Sequence, residues 1–202
     1  MIKKMPEVVE TVETTIKRFQ IFLCVLVISL FMISCKTTKQ ASGLHPVYVT
    51  NTKKVYLLEP ENFHGVYDTL QLLNGSFGGQ SFSLISYTQI DAKGISLSLM
   101  NDFGADMGNV FYDGQQVIFD SAYFPKTLPG EYIICDIQNA YYDEAALQEN
   151  YKNAGLRFEA ESSVRRIYDG NKLIEEITII ENTITIKNYL RGYEYNLMKI
   201  EE

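Results

Sequence analysis

Residues 81–99 read SFSLISYTQIDAKGISLSL. Phe82, Leu84, Thr88 and Ile90 fall on one parity with Ser81, Ser83 and Gln89 on the other, and Ile95, Leu97 and Leu99 alternate with Ser96 and Ser98. A period of two sends alternate side chains to opposite faces of an extended chain, so each run is a strand with one dry and one wet side. Ala92-Lys93-Gly94 separates them with turn chemistry. The pair is an antiparallel hairpin. Working outward, Val117 and Phe119 alternate with Gln116, Ile118 and Asp120, and Asn74-Gly75, Gly78-Gly79 and Asp113-Gly114 read as further turns.

Past Leu128-Pro129-Gly130 the period changes. Ile133, Ile134, Ile137 and Tyr141 recur at helical spacing, and Asp143 is placed to cap a second helix carrying Leu147 and Tyr151 and ending near Gly155. Strand periods then return at 164–168, 173–180, 183–189 and 193–200, with Asp169-Gly170-Asn171 as a turn. Five or so strands, two short helices and four more strands predict an α+β fold. A sheet with one apolar face and few helices to cover it must wrap around them. The expected architecture is a curved, mostly antiparallel open half-barrel around two short helices.

Composition narrows the function. The chain has 202 residues, 46% hydrophobic and 21% charged, the make-up of an ordinary folded domain. A net charge of -7 leaves no basic surplus to neutralise phosphates, so nucleic acid is not an expected partner. Three cysteines make no disulfide scaffold. At the N-terminus, residues 21–33 (IFLCVLVISLFMI) carry no charge and follow Lys17 and Arg18. Thirteen helical residues span roughly 20 Å, short of a bilayer core of about 30 Å, which describes a secretory signal rather than a membrane span. Met32-Ile33-Ser34-Cys35 resembles a bacterial lipobox, which implies cleavage before Cys35 and lipidation of its thiol. The expected organisation is a lipoprotein signal peptide over 1–34, a lipidated cysteine and flexible tether over 35–50, and a half-barrel domain over 51–202.

No catalytic constellation emerges. His45 and His64 are the only histidines, and both read as loop residues. Glu175-Glu176 and Arg165-Arg166 are neighbours on strands, so each pair divides between two faces. Asn101, Asp102, Asp106 and Asn109 fit no EF-hand spacing and read as turn chemistry. Cys135 sits on an apolar helix face as a small hydrophobe. The chain is therefore expected not to be an enzyme and to need no cofactor and no metal. Phe82, Leu84, Ile95, Leu97, Leu99, Val117 and Phe119, joined by Ile133 and Ile137, are the inward-facing set. They either fill a packed core or line a lipid cavity.

The stretch Leu128-Pro129-Gly130-Glu131-Tyr132-Ile133-Ile134-Cys135-Asp136-Ile137-Gln138-Asn139-Ala140-Tyr141-Tyr142 resembles the signature of an uncharacterised bacterial lipoprotein family that accompanies aryl-polyene gene clusters. Tyr112-Asp113-Gly114-Gln115, Arg165-Arg166-Ile167-Tyr168 and Leu190-Arg191-Gly192-Tyr193 match it in order. Asn139 stands where that signature has Leu, and Asp143 where Pro is common. The family is similar, more remotely, to the LolB-type outer-membrane lipoprotein receptor, a half-barrel holding acyl chains. Leu97-Ser98-Leu99-Met100-Asn101-Asp102-Phe103-Gly104 resembles that receptor's strand-end loop, which implies that Phe103 is a membrane-inserting side chain. These resemblances imply a protein lipid-anchored to the outer membrane, more on its periplasmic face than at the cell surface. It would bind and transfer an acyl-bearing lipid or lipoprotein, an aryl-polyene-type lipid above all. Its partners would be that lipid or acylated cargo, a periplasmic carrier or exporter protein, and the membrane reached through the anchor. The alternative is a structural or adaptor envelope lipoprotein with a packed core, binding a protein through a sheet edge or through Tyr141, Tyr142, Tyr193 and Tyr195.

Overall fold

Period-two chemistry dominates the chain, and strands dominate the structure. The computed structural model describes residues 46–77, 79–121, 123–124 and 128–200; the leader 1–34, Cys35 and the tether up to residue 45 lie outside the described residues. A short hairpin of β1 (Val47–Tyr48) and β2 (Lys54–Val55) comes first. Five strands follow as a meander: β3 (Tyr67–Phe77), β4 (Gln80–Asp91), β5 (Gly94–Met100), β6 (Asp106–Tyr112) and β7 (Val117–Asp120). Helices α1 (Gly130–Tyr141) and α2 (Glu144–Asn153) intervene. A second meander closes the chain: β8 (Arg157–Glu161), β9 (Val164–Asp169), β10 (Lys172–Ile180), β11 (Thr183–Asn188) and β12 (Tyr193–Lys199).

The two meanders join through antiparallel pairing of β12 with β3, giving one sheet of 10 strands in the order β7-β6-β5-β4-β3-β12-β11-β10-β9-β8. The first and last strands of that order are open edges, so the barrel is not closed. Laid flat, nine strand spacings of about 4.8 Å would hold the edges some 43 Å apart. The connection from β7 to β8 must nevertheless cross between them, and α1 at about 1.5 Å per residue is roughly 18 Å long. Curling of the sheet around α1 satisfies both constraints. The fold is the expected α+β half-barrel around two short helices.

Several sequence expectations are refined. Asn74-Gly75 is not a turn; it lies inside β3, and the turn falls after Phe77. Gly75 is there because the Phe82 ring crosses it: a Cβ would stand 2.4 Å from that ring and 2.8 Å from the Tyr195 Cβ. Strand β8 was not expected, since its sequence RFEAE presents charge at three of five positions. Its apolar Phe158 faces inward and stacks on Tyr151 of α2 at 5.7 Å. The packed chain also takes in the end of the segment read as tether, because Val47, Val49 and Thr50 are buried.

Gly94 opens β5 at a φ of +145°, and a Cβ there would lie 1.9 Å from the Tyr112 carbonyl oxygen on the neighbouring strand. Both backbone conformation and close approach exclude a side chain. Gly94→Ala is therefore expected to lower stability by about 2 kcal/mol or more, read from the urea midpoint at unchanged slope; a midpoint equal to that of the parent would refute this account of the β4–β5 turn.

Candidate functional site

Helix α1 lies in the trough of the sheet and is covered on nearly every side. Its buried residues include apolar Ile134, Cys135, Ile137 and Ala140, and also Asp136, Gln138 and Asn139. A buried polar side chain must find partners, because an unsatisfied one forfeits its water without return. The partners of these three come from all over the chain.

Asp136 is only 8% exposed and Glu175, on β10, only 4%. Tyr193 donates its hydroxyl to both Asp136 carboxyl oxygens, at 3.0 and 2.9 Å, and Tyr195 donates to Oδ2 at 3.1 Å. Glu175 accepts from the Asn139 amide at 3.0 Å and from the Asn188 amide at 2.9 Å. Tyr151 of α2 donates to Asn139 Oδ1 at 2.8 Å. Asn188 Oδ1 in turn accepts the backbone N–H of Arg191 at 2.8 Å. Two carboxyl groups thus meet between helix and sheet, bonded only by neutral donors. Among the described residues neither makes an ion pair.

Burial raises the pKa of Asp136 well above the ordinary carboxylate range, and the charge of Glu175 raises it further; the two tyrosine hydroxyls and Arg191 pull the other way. Burial likewise raises Glu175 against the bonds from Asn139 and Asn188 and the charge of Arg191. Desolvation also pushes the Cys135 thiol up, so this cysteine is a poor nucleophile.

Both ends of α1 are fastened by arginines. Arg165 faces inward from β9 and donates to the carbonyls of Asn139 at 2.9 Å and Tyr142 at 3.0 Å, satisfying acceptors that a helix C-terminus leaves free. Arg166, its neighbour, faces outward to Glu176 at 2.7 Å. At the other end, the Arg191 guanidinium stacks 5.0 Å from the Tyr132 ring and donates to the Tyr48 carbonyl. Gln138 exchanges bonds with the backbone of Leu58 at 2.9 and 2.8 Å, and Tyr112 donates to the same Leu58 carbonyl at 2.8 Å. All four sequence motifs therefore converge on one helix. The four tyrosines considered as an exposed docking patch do not form one. Tyr142 is buried and Tyr141 half-buried, with Tyr67 and Gln71 against its hydroxyl, while Tyr193 and Tyr195 point inward to Asp136.

The inner face is buried at its middle and half-covered at its margins. Leu84, Ile95, Leu97, Leu99 and Ile137 are buried in a single apolar cluster. Phe82, Val117, Phe119 and Ile133, the rest of the inward-facing set, are only partly buried and pack against its margin with Met107 and Phe124. Phe124 stands 6.2 Å from the Phe82 ring and 6.2 Å from the Phe119 ring, bridging β4 and β7 over the strands between them. Ser121 turns the chain back to place it there: its hydroxyl donates to the Met107 carbonyl at 2.6 Å and accepts the N–H of Phe124 at 3.0 Å. Phe82, two residues after Gln80, places this aromatic group toward the end of the sheet where the β3–β4 and β5–β6 connections and the β11–β12 turn lie, hereafter the loop end.

Phe103 stands at the same end, in the β5–β6 connection, and is 95% exposed. The loop beneath it is ordered by Asn101, whose side-chain oxygen accepts the N–H groups of Phe103 at 3.0 Å and Ala105 at 2.9 Å. Asp106 makes the corresponding turn bonds to Gly108 and Asn109. These are the hydrogen bonds of Asx turns, and they account for the cluster of short polar residues.

A family model, protein of unknown function DUF3261, matches residues 68–201. The chain belongs to this DUF3261 family. A comparison with curated proteins finds no match. The matched span contains the helix, both carboxyls and every strand of the large sheet except the first residue of β3, so the bonds of Asp136 and Glu175 lie within the family domain, while those to Tyr48 and Leu58 reach outside it. Among its described residues, this DUF3261 protein has no helix long and apolar enough to cross a membrane.

Sequence reading missed Glu175 with Asp136 as a pair. The usable signal was Asp136 and Asn139 at i, i+3 among the apolar Ile134, Cys135, Ile137 and Ala140, which puts two polar groups on one buried stripe. A carboxyl whose folded pKa is raised takes up a proton on folding, so its contribution is present below the unfolded value of about 4 and is lost as pH rises through the folded value. Stability of this DUF3261 protein is accordingly expected to fall as pH rises above the unfolded carboxyl value of about 4, and Asp136→Asn to flatten that slope. Urea melts across the range check it; a slope of opposite sign, or one unchanged by the substitution, would contradict the arrangement.

Proposed function

We propose that the protein is a lipoprotein anchored to the outer membrane that binds an acyl-bearing lipid or lipoprotein at the loop end of its half-barrel and transfers it to that membrane. An aryl-polyene-type lipid is the favoured cargo. The observation that carries this reading is a half-covered aromatic group on the inner face: Phe82, Phe119, Phe124 and Ile133 pack against the buried apolar cluster but stay partly in water. Apolar surface left partly in water beside a buried core is where a hydrocarbon chain gains by binding, at roughly 25 cal/mol per Å² removed from water. The lipobox-like Met32-Ile33-Ser34-Cys35 supports anchoring, and the wholly exposed Phe103 supports a wedge at the membrane during release.

Binding, not catalysis, is the work proposed. Each oxygen of Asp136 and Glu175 is already engaged by the protein's own tyrosines and asparagines, which suits a device that positions α1. The second reading, an adaptor lipoprotein, draws support from the single buried apolar cluster that fills the half-barrel.

Organic extraction of the purified protein followed by mass spectrometry separates the two. The carrier reading expects fatty-acyl material to co-purify, and Phe82→Glu to reduce it at least several-fold with the fold retained. Protein repeatedly free of lipid, in company with a stable protein partner, would favour the adaptor. Phe103→Glu is expected to retain cargo yet impair its delivery to acceptor membranes; undiminished delivery by that variant would remove the role given to Phe103.

A further inference from the structure

The exposed aromatics are not spread evenly over the ends of the sheet. Phe103 projects from the β5–β6 connection, Phe77, 61% exposed, stands at the close of β3, and Tyr123 lies in the segment after β7. Strand register puts all three connections at the loop end, since Phe77 pairs with Gln80 and Tyr193, Met100 with Asp106, and Asp120 with Asn109. The chain also enters the domain there. Tyr48, two residues into the described chain, donates its N–H to the Tyr132 hydroxyl at 3.2 Å, and its carbonyl accepts from Arg191 in the β11–β12 turn. Cys35 lies eleven residues before Pro46 (46 − 35), a reach of at most about 40 Å when extended.

The geometry points to the whole loop end, rather than Phe103 alone, as a face that seats on a lipid bilayer surface. These side chains suit the boundary between headgroups and acyl chains, where Phe buries its ring and Tyr buries its ring while keeping its hydroxyl wet. Half-covered Phe82, with Phe124 against it, lies toward this same end, so seating would bring that aromatic group close to the membrane. The inference rests on the carrier reading and extends it from one side chain to an orientation of the domain. The opposite end supplies its own comparison: Val66 and Ile180 are exposed there, away from the point of chain attachment.

The sequence contains no tryptophan, so a single introduced indole reports one position without background. Phe77→Trp, Phe103→Trp and Tyr123→Trp, with Val66→Trp and Ile180→Trp as the far-end set, are made in the full chain and reconstituted into phosphatidylethanolamine–phosphatidylglycerol vesicles bearing brominated acyl chains. Indoles at the loop end are expected to shift to the blue and to be quenched at least about twofold more than those at 66 and 180. Equal quenching at the two ends, or none at the loop end, would overturn the inference. Quenching confined to position 103 would also overturn it while leaving the wedge role of Phe103 in place. Absence of acyl material from the purified protein is a separate result that sinks the carrier reading without altering this pattern.

Discussion

The contact between Asp136 of α1 and the hydroxyls of Tyr193 and Tyr195 on β12 holds the molecule in its particular form. An open antiparallel sheet of ten strands has an apolar face too wide for two short helices to cover by chance placement. Apolar burial drives α1 into the trough but is non-directional, so it does not choose where along the trough the helix stops. The polar network does. Asp136, Asn139 and Gln138 are satisfied only if α1 sits with its first turn at Arg191 and its last at Arg165. A slide by one turn would strand all three in a dry interface.

That placement has a consequence for function. Fixing α1 against β10–β12 and against Leu58 closes the interior where Ile95, Tyr112 and Tyr142 meet. Phe82, Phe119 and Phe124 lie at the margin of that closed core and shield one another. Closed core and half-covered margin follow from one choice of helix position. Two buried carboxyls without an ion pair are an expensive way to set that position, and a hydrophobic pair of equal size would be the more stable solution. Their retention is understandable if the exact seat of the helix matters more than stability.

Much of this architecture is written in residue periodicity. Strands β4 and β5 follow directly from the alternation of Phe82–Ile90 and Ile95–Leu99, and the hairpin at Asp113-Gly114 from its turn chemistry. The parity argument also held where it mattered most. Glu175 and Glu176 do point to opposite faces, as do Arg165 and Arg166, with the outward members pairing at 2.7 Å. Parity had no means of finding the inward partners, because Asp136 lies on a different element and helix placement is a tertiary fact. Strand β8 escaped because RFEAE gives more charge than alternation, and Gly75 was misread because a glycine forced by a crossing ring looks in sequence like a turn. Asn139 also gains meaning: its amide is one of the two donors that make Glu175 tolerable inside.

The central claim is that the half-covered margin of the inner face holds an acyl chain. Photo-crosslinking with a diazirine-bearing fatty acid, followed by peptide mass spectrometry, addresses it most directly. Adducts are predicted on peptides carrying Phe82, Phe119, Phe124 and Ile133. Labelling confined to the convex face, at Leu70 or Met198, or absent from the fold altogether, would contradict the account.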